Sequence, residues 1–109
     1  EGKGYYFQPT AIQLTDRNAE ILQEEIFGPV AMIVPFSTKE EVIELANNTD
    51  AAFASYVYST NEETLAYFAE KLEFGEVQLN GVKYDIYLPH GGVKNSGIGV
   101  DCSTYAMDD

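Results

Sequence analysis

The chain has 109 residues, 45% of them hydrophobic, which is the size and composition of one globular domain. Its 18 acidic and 6 basic side chains give a formal charge of −12, and such a charge repels both nucleic-acid phosphates and anionic membrane surfaces. No apolar stretch reaches the roughly 18 residues that a membrane-spanning helix needs. We therefore expect neither a nucleic acid nor a membrane as a partner.

The chain contains one cysteine, Cys102, and one histidine, His90. A single thiol cannot form an internal disulfide, and a lone histidine cannot form a His-paired metal site within the chain. We expect no metal, and we interpret the low cysteine content as typical of the reducing cytoplasm. The start Glu1-Gly2-Lys3-Gly4 has no basic-then-apolar leader, which we expect of a segment cut from a longer protein.

The first third of the chain predicts two short strands joined by a helical turn. Residues 9–14 alternate enough for a strand, and residues 17–24 suggest a brief helical turn. Gly28-Pro29 then stops any helix, because proline does not follow residues in helical geometry without strain. The apolar run at 30–34 predicts a buried strand, and Pro35 marks its end because proline lacks the amide that a strand donates.

Two helices follow, and each begins with polar capping residues. The segment 37–41, Ser-Thr-Lys-Glu-Glu, offers a capping box in two registers, and this helix closes near Asn47-Asn48. The segment 60–63 repeats the capping signal, and the second helix is expected to stop at a left-handed Gly75. The apolar side of the second helix follows helical spacing, with Leu65, Phe68, Ala69 and Leu72.

Further strands at 53–58 and 77–80 complete the order strand, helix, strand, helix, strand across residues 30–80. Short connections between such elements are the sequence form of βαβ units. We therefore predict the α/β class: a βαβαβ segment with a mainly parallel sheet flanked by helices, both packed over that one sheet. Loops at the carboxyl ends of the strands would carry any site. A short helix is expected around 104–107.

The segment 89–99, PHGGVKNSGIG, is dense in glycine, so its backbone can approach a ligand or another part of the chain closely. It is not a dinucleotide fingerprint, because Cys102 stands where a third glycine is needed, and no P-loop sequence is present. We favour a structural loop in which Lys94 is a surface charge or a partner of a nearby acid. Cys102 is interpreted as a passive thiol, because the carboxylate of Asp101 beside it disfavours the thiolate.

The segment 23–30, QEEIFGPV, allows two interpretations. In the first, Phe27 anchors the core and the two glutamates lie in solvent. In the second, one glutamate and Phe27 share a cleft, where a carboxylate can accept hydrogen bonds from a sugar diol and a ring can flank a flat heterocycle. Glu25 and Phe27 are two residues apart, so in an extended segment they point to the same side and Glu24 points to the other.

Five sequence elements resemble the carboxyl-terminal part of the NAD(P)-dependent aldehyde dehydrogenase superfamily. They occur in the order and with the spacing of that family, and together they span nearly all of the chain. The LPHGGVKNSG form and the ending STYAMDD look most like the lactaldehyde and non-phosphorylating glyceraldehyde dehydrogenase branch. The five elements are GYYFQPT, QEEIFGPV, FSTKEEVIELANNT, LEFGEVQLN and PHGGVKNSGIG.

The resemblance implies roles for individual residues. Glu25 matches the glutamate that hydrogen-bonds the nicotinamide ribose of NAD or NADP, and Phe27 matches the aromatic residue that packs near the nicotinamide. His90 stands where many relatives have phenylalanine near the aldehyde pocket, so it is expected to help select a small polar aldehyde. Asp101 stands where the family usually has the glutamate of a Gly-Arg-Glu triplet, and the missing arginine leaves that site without an assigned role.

The mechanism implied by the resemblance oxidises an aldehyde to a carboxylic acid. A cysteine thiolate attacks the aldehyde, a hydride passes to NAD(P), and a glutamate-activated water releases the acid. That cysteine, that glutamate and the nucleotide-binding domain are expected upstream of Glu1, and Cys102 comes too late in the family order to be the nucleophile. Residues 1–109 are then the carboxyl-terminal segment of the catalytic domain, inactive alone and part of a homo-oligomer, a dimer or tetramer, completed beyond Asp109.

A hypothesis from a different class is a free-standing α/β module that lost catalysis and binds a partner protein. Such a module would use the apolar surface that a missing domain otherwise covers. A start codon near Glu1 would favour this module, and a long upstream reading frame with a cysteine motif would favour the enzyme.

Overall fold

The computed structural model describes residues 2–107 of the chain. Its two α-helices are α1, Lys39–Asn47, and α2, Glu62–Lys71, and 3-10 helices form at Glu20–Leu22 and Thr104–Met107. The strands in this range are β1 Thr10–Gln13, β2 Val30–Ile33, β3 Ala51–Ala52, β4 Ala54–Val57, β5 Glu76–Leu79, β6 His90–Gly91, β7 Val93–Lys94 and β8 Val100–Asp101. The predicted order of elements from residue 9 to residue 80 is confirmed, with β3 and the strands after β5 added.

The starts of both helices follow from polar side chains that bind free backbone amides. Thr38 accepts a hydrogen bond from the amide of Glu41 at 3.1 Å, and the Glu41 carboxylate accepts from the amide of Thr38 at 3.3 Å, so the predicted capping box forms in one of its two registers. At α2 the cap is Asn61, whose Oδ1 accepts from the amide of Thr64 at 2.8 Å.

The strands form parallel and antiparallel pairs. β1 and β2 are parallel, with Thr10 opposite Val30, and β4 and β5 are parallel, with Ala54 opposite Glu76. The antiparallel pairs β3–β7 and β6–β8 are formed by the glycine-rich part of the chain. The α/β class with mainly parallel pairing is therefore confirmed.

The expectation that one sheet carries both helices is wrong for the described residues. β2 and β4 are joined by α1 but do not hydrogen-bond to each other, so the two parallel pairs remain separate two-stranded sheets. A helix that connects two strands favours a parallel direction for them but does not require them to be neighbours in a sheet. Consecutive strands are neighbours in only about two-thirds of cases.

Gly75 has a different role from the predicted left-handed helix stop. The helix α2 already ends at Lys71, its C-cap Leu72 is extended, and Gly75 is not among the glycines with positive φ. A Cβ atom at Gly75 would instead overlap the carbonyl oxygen of Gly91, so the missing side chain lets β5 and β6 approach each other. The constraint on this glycine is tertiary packing.

The described residues form an open shape with a small core. Ala52 and Phe68 are the buried hydrophobic residues, and aromatic side chains such as Phe27 and Tyr84 lie exposed. The Cα radius of gyration is 16.2 Å, whereas a compact domain of this length has a radius of about 13 Å. The accessible surface is 8672 Å², against roughly 6,000 Å² for a compact monomer of this mass. Within residues 2–107, no helix is long and apolar enough to cross a membrane.

Candidate functional site

Glu25 and Phe27 lie in an irregular stretch between the first 3-10 helix and β2. Both side chains are exposed, Phe27 by 92%, while Ile26 between them is exposed by 37%. Backbone bonds from Gly28 to the carbonyl of Ile26, at 2.9 Å, and from Val30 to that of Gly28, at 2.8 Å, fix the turns that follow. The interpretation of Phe27 as a core anchor is therefore wrong for this fold, because the ring has no core around it.

The carboxylate of Glu25 is also available for a ligand. Within residues 2–107 it makes no hydrogen bond or ion pair. An open carboxylate next to an open aromatic ring suits a ligand that has both hydroxyl groups and a flat heterocycle, since carboxylates accept hydrogen bonds and rings stack or pack edge-on. A carboxylate acceptor and an aromatic ring are groups that fit the nicotinamide riboside half of a dinucleotide.

His90 lies in β6, opposite Asp101 of β8. Its ring packs edge-on against Phe53, with centroids 4.9 Å apart, and against Tyr84, with centroids 5.2 Å apart. Its Nδ1 atom contacts Oε1 of Glu76, and 33% of the side chain remains exposed. The imidazole is thus in contact with three side chains, and part of it remains exposed.

His90 lines a cavity of about 360 Å³. Gln78 organises its polar wall: its Nε2 donates to Oε2 of Glu76 at 3.1 Å and to the carbonyl of Lys83 at 2.9 Å, and its Oε1 accepts from the amide of Lys83 at 3.0 Å. Leu88 closes part of the apolar side. The cavity is lined by neither Glu25 nor Phe27, so the described structure does not bring the two predicted parts of the site into one pocket.

Sequence reasoning missed Glu76, Gln78 and Tyr84 as neighbours of His90. A signal for the first two was present: they alternate in β5, so they share one face of the strand, and polar residues on one face of an otherwise apolar strand indicate a polar cavity or a surface. No comparable pattern marks Tyr84, because it lies in the irregular segment after β5.

Cys102 lies beside Tyr84, with its Sγ 2.9 Å from the phenol oxygen. This hydrogen bond, followed by the electrostatic effect of the Cys102 sulfur, raises the pKa of Tyr84 above its usual value. Cys102 and Ser103 have φ angles of 61° and 57°, so the chain makes a left-handed turn here. In the part of the chain that the structure describes, no cluster of three or more His, Cys, Asp or Glu side chains could hold a metal ion.

The glycine-rich segment, predicted as a structural loop, contains the short strands β6 and β7 as well as loop residues, and Lys94 partners a nearby acid as expected. Lys94 Nζ donates to the carbonyl of Asn47 at 2.8 Å and to that of Thr49 at 3.3 Å, and it pairs with the carboxylate of Glu73 at 3.2 Å. Ser96 Oγ accepts from the amide of Ala52 at 2.8 Å. These bonds attach the segment to the end of α1 and to β3.

Comparisons with known proteins agree with the resemblance seen in the sequence. The model of the aldehyde dehydrogenase family matches residues 1–109. The chain is similar to the succinate-semialdehyde dehydrogenase of Paenarthrobacter nicotinovorans, with 44% identity over 100 residues that cover 91% of the chain and 22% of that protein.

Solved structures give the same result. The chain is similar to an aldehyde dehydrogenase from Bacillus cereus in complex with NAD+, with a TM-score of 0.91 and 40% identity over 99% of the chain and 22% of that structure. A lactaldehyde dehydrogenase structure gives a TM-score of 0.91 and 34% identity over 98% of the chain and 23% of that structure. The chain thus spans about 22% of the length of the relatives it matches, and it belongs to the aldehyde dehydrogenase family.

Proposed function

We propose that this chain is the carboxyl-terminal segment of the catalytic domain of an enzyme that oxidises a small aldehyde to a carboxylic acid with NAD or NADP. The observation that carries the proposal is the exposure of both Glu25 and Phe27 in the irregular stretch before β2. In this function the Glu25 carboxylate accepts hydrogen bonds from the ribose hydroxyl groups, and the Phe27 ring lies against the nicotinamide.

The division of work between this chain and the rest of the enzyme follows from that placement. The chemistry that a bound NAD or NADP supplies is acceptance of the hydride that leaves the aldehyde carbon. Glu25 and Phe27 orient the cofactor, and His90 contacts the substrate. The thiolate that forms the thioester and the glutamate that activates water belong to other parts of the protein. This segment alone is therefore expected to have no activity.

The open shape of the described residues supports the assignment as a segment. The surface in excess of that of a compact monomer is on the order of 2,000–3,000 Å², which is the area of an extensive obligate interface. We assign this surface to contacts with the remainder of the enzyme and, in a dimer or tetramer, with other subunits. The cytoplasm is the proposed location, since the single cysteine fits a reducing compartment.

The proposed substrate is a small polar aldehyde, as in the lactaldehyde and non-phosphorylating glyceraldehyde dehydrogenase branch. The support is the polar cavity at His90, which is lined by Glu76, Gln78 and Lys83. An apolar aldehyde would displace water from these polar groups without replacing its hydrogen bonds, which costs free energy.

The test is a kinetic assay of the full-length protein with lactaldehyde and either NAD or NADP. Turnover is expected, and Glu25→Gln is expected to lower the hydride-transfer rate or the affinity for the nicotinamide half while leaving adenosine contacts unchanged. Glu24→Gln is the matched control, because it makes the same change at the neighbouring exposed glutamate, to which no cofactor role is assigned. Unchanged kinetics of the Glu25 variant would remove this residue from the cofactor site.

A second candidate function is a protein-interaction module without catalysis, and the exposed apolar residues favour it as well. The two candidates differ in how self-association depends on protein concentration and in whether the protein oxidises an aldehyde. An interaction module of this length is expected to be stable by itself and to oxidise no aldehyde. The enzyme segment is expected to self-associate when isolated, and the full-length protein that contains it is expected to turn over substrate. Sedimentation at several concentrations, together with the assay above, separates the two.

A further inference from the structure

The Glu76 carboxylate is a largely buried polar group whose hydrogen bonding is incomplete within the described residues. Its side chain is exposed by only 16%. Oε2 is held by Gln78, whereas Oε1 is buried and has no hydrogen-bond donor in the described residues that meets the geometry of a hydrogen bond. Nδ1 of His90 contacts Oε1 directly, but the pair does not meet the geometry of a hydrogen bond.

A buried carboxylate oxygen costs free energy unless a proton donor faces it. Nδ1 of His90 contacts Oε1, so it is the atom in position to carry that proton. The ring is otherwise fixed by its edge-on contacts with Phe53 and Tyr84, and neither contact supplies a donor to Oε1. Within the described residues, the Glu76 carboxylate is therefore the group placed to influence where the His90 proton lies.

We propose that Glu76 is a positioning residue for His90, which keeps a proton on Nδ1 and leaves Nε2 as the nitrogen that contacts the substrate. This inference rests on the proposed function, in which His90 lies at the aldehyde pocket. In a neutral imidazole that carries its proton on Nδ1, Nε2 is a hydrogen-bond acceptor. In the described residues Nε2 has no partner of its own.

The chemical class of the substrate follows from that assignment. An acceptor at the pocket prefers a substituent that donates a hydrogen bond, so the substrate is an aldehyde that carries a hydroxyl group near its carbonyl. Without the carboxylate, a neutral imidazole favours the proton on Nε2 and presents a donor instead. Glu76 thus selects the substrate through the tautomer of His90, and no bond is made or broken by Glu76 itself.

The kinetic test compares lactaldehyde with butanal in the full-length protein, because the two aldehydes have the same number of heavy atoms. Glu76→Leu is expected to lower the ratio of kcat/KM for lactaldehyde to that for butanal by about tenfold, the value of one hydrogen bond. The loss is expected mainly in KM for lactaldehyde. Glu76→Gln is expected to retain most of the ratio, because its side-chain oxygen can still accept from Nδ1.

The control is Glu70→Leu, which makes the same apolar change on the exposed side of α2, where Glu70 pairs only with Lys71. This variant is expected to leave the ratio unchanged. A ratio that is equal in the wild type and in Glu76→Leu would overturn the positioning role. A preference of the wild type for an anionic aldehyde over lactaldehyde would overturn the acceptor assignment.

A spectroscopic readout separates this inference from the proposed function. Solid-state nitrogen NMR of the histidine-labelled full-length protein, with a His90→Gln spectrum to identify the signals, reports which ring nitrogen carries the proton. A proton on Nδ1 is expected in the neutral wild type, and a proton on Nε2 would overturn the inference even if Glu76→Leu fails to fold. Absence of aldehyde turnover with the expected tautomer would instead overturn the proposed function and, with it, the substrate role of His90.

Discussion

Asn47, the last residue of α1, hydrogen-bonds the last residue of α2: its Nδ2 donates to the carbonyl of Lys71 at 2.9 Å. Its Oδ1 accepts from the amide of Glu73 at 2.9 Å, so one side chain satisfies a free carbonyl at the end of α2 and an amide in the following loop. The carbonyl of Asn47 in turn accepts from Lys94. Three segments of the chain meet at this residue.

Replacement of Asn47 tests that junction. Asn47→Ala removes both side-chain hydrogen bonds, and we expect the free energy of unfolding to fall by about 1–3 kcal/mol. Asn48→Ala is the matched control, because the Asn48 side chain makes no hydrogen bond in the described residues. The bond from Gln23 goes to the backbone carbonyl of Asn48, which the substitution keeps. Denaturant unfolding of the full-length protein measures both, and equal losses would contradict the role given to Asn47.

Lys94 stabilises the same junction through charge. Its ammonium group lies at the carboxyl-terminal end of α1, where the helix dipole is negative, and it donates to two carbonyl groups there. We expect Lys94→Met to lower the melting temperature, with a loss of about 1–2 kcal/mol in the free energy of unfolding.

The control for Lys94→Met is Lys71→Met, since Lys71 is half-exposed and pairs only with Glu70 at 3.5 Å. Exposed pairs of this kind contribute about 0–1 kcal/mol. Added salt is expected to reduce the difference between wild type and Lys94→Met, because it screens the exposed part of the interaction. A difference that is zero at low salt would refute the assignment.

Gly75→Ala tests the contact between β5 and β6. The new methyl group would overlap the carbonyl oxygen of Gly91, and backbone atoms cannot move aside as a flexible side chain can. We expect a loss of about 1–3 kcal/mol in the free energy of unfolding. We also expect weaker binding of the aldehyde substrate, because β6 carries His90. Gly81→Ala, where a Cβ atom meets nothing within 4 Å, is expected to be neutral or slightly stabilising.

The capping box of α1 predicts a pH dependence of stability. The amide of Ser37 and then the side chain of Arg17 lower the pKa of Glu41 in the folded state. A carboxyl group whose folded pKa is depressed contributes its stability fully above its unfolded pKa of about 4.3, and the contribution is lost as the pH falls through the lower folded pKa.

We therefore expect the melting temperatures of wild type and Glu41→Gln to differ at pH 7 and to converge in acid, at a pH below about 4. Glu44→Gln is the control, since this exposed carboxylate on the same helix makes no hydrogen bond or ion pair in the described residues. Thermal melts across the pH range give the comparison. A difference that grows in acid would contradict the sign of the pKa shift.

Much of the architecture was predictable because its causes are local. The capping box at Thr38 and Glu41 acts over three residues, the apolar spacing around Phe68 acts over one or two helical turns, and Pro35 ends a strand by its own geometry. The family assignment was also accessible from five short motifs in order. What was predictable of the candidate site was the residue types, Glu25, Phe27 and His90, and their order along the chain.

The sequence by itself determined the elements, their order and the α/β class, because propensity, capping and periodicity depend on neighbours within a few residues. Only the tertiary structure decided that β2 and β4 belong to separate pairs, that Gly75 is required by the carbonyl of Gly91, and that Phe27 stands outside any core. It also brought Glu76 against His90. These relationships join residues that are distant in the chain, and the path of the backbone between them, which no local pattern encodes, sets which surfaces meet.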